Sequence, residues 1–287
     1  MNVQRSSTYT LERPDARNGS ETRLSGRWLI LARAAWLALV VCALMVVAAG
    51  IPQIPSFFRF LQQPCIGNAC VHNDGQASIS TQQAFARFGI SPPMIALFVT
   101  ATVYFIPALV WMLVGFILVW RRSDDWMALL VSLMLIFWGA SFAAGLGSFV
   151  PHTQIWQFSY SLLQTFTQAM IFLIFCLFPN GRFVPRWAVC LAITGFLIAP
   201  FSGFQGLLPS INWFFSGPFF FLLIAAVLGT QIYRYVYVST HLQRQQAKWL
   251  IFGLSTVFLI DVVAVNVLDN IFPWMHAPGS FAAGFLT

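Results

Sequence analysis

Acidic side chains are nearly missing from this chain: there are eight Asp and Glu in 287 residues, and all charged residues together make up only 8%. A soluble domain of that length uses about 25% charged residues, so a water-exposed surface could not be built from this supply. Hydrophobic residues reach 59% and the mean hydropathy is +0.76, which leaves a bilayer as the economical home for the long apolar runs. Motifs that carry chemistry are lacking too. The chain has no Gly-x-Ser-x-Gly, no His-Glu-x-x-His and no phosphate-cradling glycine loop, so no catalytic constellation, resident metal or cofactor is expected. The fifteen Arg and Lys come without a basic stripe. That argues against a nucleic-acid partner and for basic loops on one side of a membrane.

Apolar length is what the chain has in quantity. Seven runs, at 28–50, 94–120, 126–149, 155–178, 187–207, 212–232 and 249–268, are long enough to cross, since about 20 helical residues span the hydrocarbon. In lipid such runs must be helices, because a lone strand leaves its backbone unpaired. The expected fold is therefore all-α: a polytopic transmembrane helix bundle of about seven spans. Residues 1–27 read as a disordered polar tail and 51–93 as one small extracytoplasmic loop. After 268 the chain turns outside, where "SFAAGFLT" reads as the start of a truncated eighth helix.

The basic residues fix an expected orientation. Arg5, Arg13, Arg17, Arg23, Arg27, Arg33, Arg121, Arg122, Arg182, Arg186, Arg234, Arg244 and Lys248 all fall on one side of the seven-span map; only Arg59 and Arg87 fall on the other. This positive-inside pattern puts the amino terminus in the cytoplasm. "RRSDD" becomes an inner turn in which Arg121 and Arg122 close one helix. Asp124 and Asp125 open the next, where the helix dipole favours anions, and they also offer pairing to those arginines. Trp28, Trp120, Trp126, Trp187 and Trp249 fall at inner boundaries, and Trp156, Trp213 and Trp274 at outer ones, as interfacial anchors do. A signal peptide ending near Ala48-Ala49-Gly50 competes for the first run, which is longer than a usual signal core.

Other features admit two readings each. Cys65 and Cys70, on the oxidising side with four residues between them, are expected to form a disulfide worth about 2 kcal/mol; a metal site with His72 is the alternative, without a clear fourth ligand. Cys42, Cys176 and Cys190 read as small buried hydrophobes. Gln157, Ser161, Gln164 and Gln168 share one face of the fourth span, and Asp261 lies inside the seventh. These five either hydrogen-bond helix to helix or line a pocket that receives a ligand or a proton. Gly139, Ala143 and Gly147 make a small-residue face suited to an internal contact or a dimer seam. Pro179-Asn180-Gly181 is expected to turn with Gly181 at positive φ and Pro185 to start the next helix, while Ser216-Gly217-Pro218 should kink the sixth. Arg121, Arg122, Asp124, Asp125, Arg244 and Lys248 are the candidates for inner-loop coupling.

Three stretches together, "WRRSDDWMALLVSLML", "LFPNGRFVPRW" and "YRYVYVSTHLQRQQAKWLIFG", resemble the multipass input region of bacterial sensor histidine kinases of the ComP type, over about residues 28 to 267. The resemblance implies a bacterial plasma-membrane region that perceives an external signal. No kinase, phosphoacceptor or nucleotide site follows here, so a truncated kinase region and a standalone protein both fit. The expected function is a non-catalytic sensor or receptor-like input module acting in the bilayer as a homodimer or with a separate signalling partner. The alternative is a transporter, or a subunit of one, using Asp261 and the glutamine stripe as its pathway. If Asp261 receives a ligand, Asp261→Ala abolishes the response with expression intact; loss of folded protein in a membrane-fraction immunoblot marks a structural role instead.

Overall fold

The computed structural model describes residues 23–64, 76, 77, 79–145, 154–178, 181–204 and 218–237, together with Phe252 and Thr256. It is helical: α1 (Arg27–Gly50), α2 (Ile54–Gln62), α3 (Ile79–Arg87), α4 (Pro92–Val99), α5 (Ile106–Arg122), α6 (Trp126–Gly145), α7 (Gln154–Leu177), α8 (Ala188–Gly203) and α9 (Pro218–Tyr237). Among the described residues there is no strand, only an isolated bridge between Arg23 and Asp125.

Among the described residues, four helical stretches are long and apolar enough to cross a membrane: Arg27–Gln62, Pro92–Arg122, Trp126–Gly145 and Gln154–Leu177. At about 1.5 Å per residue, α8 with 16 residues falls short of the hydrocarbon thickness of about 30 Å. The seventh run, 249–268, lies outside the described residues apart from two helical positions.

The first apolar stretch does not stop at 50. Pro52 has no N–H to give a helix, and at Ile51–Gln53 the chain tightens into a 3₁₀ turn before continuing as α2. Phe57 and Leu61 of α2 then bury against Ala96 of α4, with Val99 and Tyr104 alongside. Gln76 Nε2 and Gln82 Nε2 donate to the carbonyls of Phe60 and Gln62, at 2.9 and 3.4 Å, satisfying acceptors that a helix end leaves open. Where it is described, the 51–93 segment between the first two apolar runs is thus largely helical. Cys65, Cys70 and His72 lie outside the described residues.

Proline shapes the next helix as well. Pro107 sits in the first turn of α5, directly after a π-helical turn at Thr100–Phe105 that joins it to α4. A π turn carries one surplus residue and so takes up the lost bond and the ring clash that Pro107 would impose on an unbroken helix. Of Ser216-Gly217-Pro218, where a kink was expected, only Pro218 lies among the described residues, in α9. Pro185, which has no N–H to lose at a helix start, was expected to open α8, yet the helix begins three residues later at Ala188.

The bundle is organised around α6, which is buried along most of its length. On one side it forms an antiparallel hairpin with α5. A Cβ on Gly139 would stand 2.7 Å from the Ala108 carbonyl oxygen, and one on Gly115 would stand 2.7 Å from Ile136. The backbones therefore meet, as small residues allow in membranes. Gly139 serves an internal contact, and Trp111 stacks on Trp138 beside it at 5.6 Å. α1 runs parallel to α6, with Trp36 Nε1 donating to Ser132 Oγ at 2.9 Å. α7 runs antiparallel to it, with Ser141 and Thr167 hydroxyls 3.0 Å apart. The outer faces of α1 and α5 remain exposed and apolar, as at Leu31, Leu37, Leu109 and Leu113. Faces of that size without polar cover fit contact with lipid.

Gly139→Ala is expected to lower the melting temperature in detergent, since overpacking costs about 1–3 kcal/mol. Gly229→Ala is the control, because nothing lies within 4 Å of its added carbon. Equal melting of the two variants would remove the backbone contact as the organising feature.

Candidate functional site

The helix directions gather the described basic residues other than Arg59 and Arg87 at one end of the bundle. That end holds the start of α1, the turn from α5 to α6, the turn from α7 to α8 and the last turn of α9. Arg33 crosses from α1 to the α5–α6 turn, where its Nε donates to the Ser123 carbonyl at 3.1 Å and its Nη2 to Ser123 Oγ at 2.7 Å. Leu24 N–H adds a backbone bond to the Asp124 carbonyl at 2.9 Å. Asp125 caps α6, its Oδ1 accepting from the Met127 N–H at 2.9 Å, as an acidic N-cap does. Asp124 pairs with Arg23 at 3.4 Å, in place of the Arg121 and Arg122 partners expected. An ion pair as exposed as this one is worth about 0–1 kcal/mol, so the hydrogen bonds of Arg33 do more to hold the turn.

The second arrangement at this end involves α9. Arg234 is only 3% exposed. Its Nη1 donates to the Cys176 carbonyl at 3.0 Å and to the Phe178 carbonyl, and its Nη2 donates to the Arg182 carbonyl. One guanidinium thus collects carbonyls from the end of α7 and the turn after it, where orphan acceptors and the helix dipole both favour a cation. One turn earlier, Gln231 Nε2 donates to the Phe175 carbonyl, while its Oε1 is buried with no hydrogen-bond partner among the described residues. The turn beyond α7 is tight: Gly181 has φ +69°, as expected, and an added Cβ would run into the Trp126 ring. Sequence reasoning counted Arg234 as a loop charge. The signal it passed over is the Gln231/Arg234 spacing of three residues, one helical face, at the end of an apolar run.

In the half of the bundle away from Arg33 and Arg234, α1 and α7 both rest on α6 but splay apart. The gap is a cavity of about 750 Å³. From α1 it is walled by Leu39, Cys42, Met45, Val46, Ala49 and Gln53. From α7 come Ile155, Trp156, Ser159, Leu162, Leu163 and Phe166, with Phe137 of α6 as the floor. Among the described residues no charged side chain lines it. Gln53 and Ser159 lie toward its outer end, and Ser159 Oγ donates to the Ile155 carbonyl at 2.8 Å. Trp156, in the first turn of α7, is buried and stacks on Tyr160 at 5.3 Å, so it forms a wall of this space. Cys42 and Cys190 are exposed, and only Cys176 is buried as foreseen.

The glutamine stripe does not enter the cavity. At about 100° per residue, Gln157, Ser161, Gln164 and Gln168 occupy the side of α7 about 180° away from Ile155, Ser159, Leu162 and Phe166. Gln157 is exposed; the other three are half-buried, and Gln164 Nε2 donates to Tyr160 Oη at 2.8 Å. Asp261, Arg244 and Lys248 lie outside the described residues. Nothing in the sequence marked the cavity, because a lining of Leu, Met and Phe reads the same as a lipid-facing stripe. Among the described residues no group of three His, Cys, Asp or Glu could hold a metal ion. No family model, curated protein or solved structure matches the chain.

Arg234→Leu leaves three carbonyls of the α7–α8 turn without their donor. It is expected to cost about 2 kcal/mol or more, the scale of hydrogen bonds to a charged group, read as a fall in melting temperature together with faster amide exchange at 176–182. Faster exchange spread evenly over the chain would disconnect Arg234 from that turn.

Proposed function

We propose that this chain is a non-catalytic, sensor-like input module of a bacterial plasma membrane, oriented with its arginine-rich end in the cytoplasm. The observation that carries this reading is the contrast between the two ends. One half has a cavity open between two helices, with no charged side chain among its described lining residues; at the other, Arg33 ties α1 to the α5–α6 turn, Arg234 ties α9 to the α7–α8 turn and Asp125 caps α6. α1 and α7 wall the cavity and also reach the tied end, so a change in their separation acts on both the α5–α6 and the α7–α8 turns. Two of the three stretches that resemble sensor-kinase input regions form those turns. A homodimer or a separate signalling protein would receive the output there. A transport route is less favoured, since the glutamine stripe and the cavity stand on opposite faces of α7 and do not combine into one lined path.

Two measurements test this. With native cysteines replaced by Ser, Arg121→Cys should react with a membrane-impermeant maleimide only in inverted vesicles, and Gln63→Cys only in intact spheroplasts; labelling of both from one side discards the orientation. Ala49→Trp fills the cavity about 30 Å along α1 from the arginine end. It is expected to change amide exchange at 121–125 and 181–187 by about threefold or more, or about 0.7 kcal/mol of local stability. Unchanged exchange at both turns would show that the cavity does not communicate with them.

A further inference from the structure

The charges at the arginine end are not all used inside the protein. Asp124 is taken by Arg23, Asp125 by the first turn of α6, and Arg33 and Arg234 are turned inward onto Ser123 and main-chain carbonyls. Arg27, Arg121 and Arg186 remain exposed, and none of them forms an ion pair among the described residues. Each is the sequence neighbour of an exposed tryptophan: Trp28 at 73%, Trp120 at 87% and Trp187 at 47% exposure. The three Arg–Trp pairs stand at the ends of three different helices, α1, α5 and α8, on one rim of the bundle. Toward the bundle centre, each helix continues as exposed apolar surface, with Ile30 and Leu31 on α1, Ile117 on α5 and Val189 on α8.

Charge, then aromatic ring, then apolar stripe is the order of layers in a phospholipid leaflet: phosphate, glycerol level, acyl chain. Indole rings favour the headgroup boundary. A guanidinium presents a planar fork of donors that fits phosphate oxygens. Four cations would be left facing water if Arg122 is included, with no other acid among the described residues of the rim to offset them, so the complementary partner is an anion held at the same height in the leaflet. We propose that this rim binds the headgroups of anionic phospholipids, with one docking point at each Arg–Trp pair. This assignment is independent of the sensor reading and of the cavity.

The test uses the full chain in bilayers and the quenching of its tryptophan fluorescence by brominated lipids. Brominated phosphatidylglycerol is expected to reach half-maximal quenching at about fivefold lower mole fraction than brominated phosphatidylcholine, the worth of one arginine–lipid charge contact. Raising the salt to about 0.5 M should reduce the preference, because exposed charges are screened. R27Q/R121Q/R186Q should erase it, whereas R27K/R121K/R186K should keep most of it. The single variants R27Q, R121Q and R186Q carry the test should the triple variant fail to fold, each lowering the preference in part. Equal quenching by the two lipids in the unmodified protein overturns the proposal, as does a preference that survives the Gln substitutions undiminished.

Discussion

The closeness of α5 to α6 sets the rest of the architecture. Gly115 and Gly139 allow two backbones to touch where any side chain would hold them apart, and only then can the short 123–125 turn join the helices. Inside a membrane there is no hydrophobic force to press helices together, because lipid is as apolar as leucine. Packing has to come from fit. With α5 seated, α6 becomes the buried axis, and α1 and α7 find ridges on its remaining faces through Val40, Ala43, Leu163 and Ile174.

Fit does not fasten helix ends, however, and there the chain relies on polar bonds. Arg33 holds the α5–α6 turn from α1, and Arg234 holds the α7–α8 turn from α9. Both act on carbonyl or hydroxyl oxygens, which keeps the scarce carboxylates for other tasks: Asp125 caps a helix and Asp124 fixes the entering chain. With so few acids, an arginine that turns inward must find neutral acceptors, and the ends of helices supply them.

How much of this could be read beforehand differs by feature. Helix type and approximate extent were plain in the first four long runs, as was the gathering of Arg23, Arg121 and Arg182 at one end, because apolar length and charge placement act one residue at a time. Gly181 at positive φ was legible because a Pro-Asn-Gly turn constrains its own backbone. What was not legible depends on two elements meeting. The continuation of α1 into α2 needed Phe57 to find Ala96; the inward turn of Arg234 needed the end of α7 beside it. The cavity needed α1 and α7 to diverge, which no local pattern encodes. The glutamine stripe was read correctly as one face of a helix, but which neighbour that face meets is a property of the assembled bundle.

The π-helical turn at Thr100–Phe105 has a consequence for phase. One residue more than an α-helix needs is stored there, so everything on its far side is rotated by about 100° relative to an uninterrupted helix. The face of α4 that receives Phe57 and Leu61 is therefore aimed by this surplus residue and not by the register of α5. Removing a single residue from the turn would leave α5 on its glycine seat while swinging the α2–α4 contact about a quarter-turn around the axis. The cap at that end behaves as a dial set by chain length, adjustable without disturbing the hairpin below it.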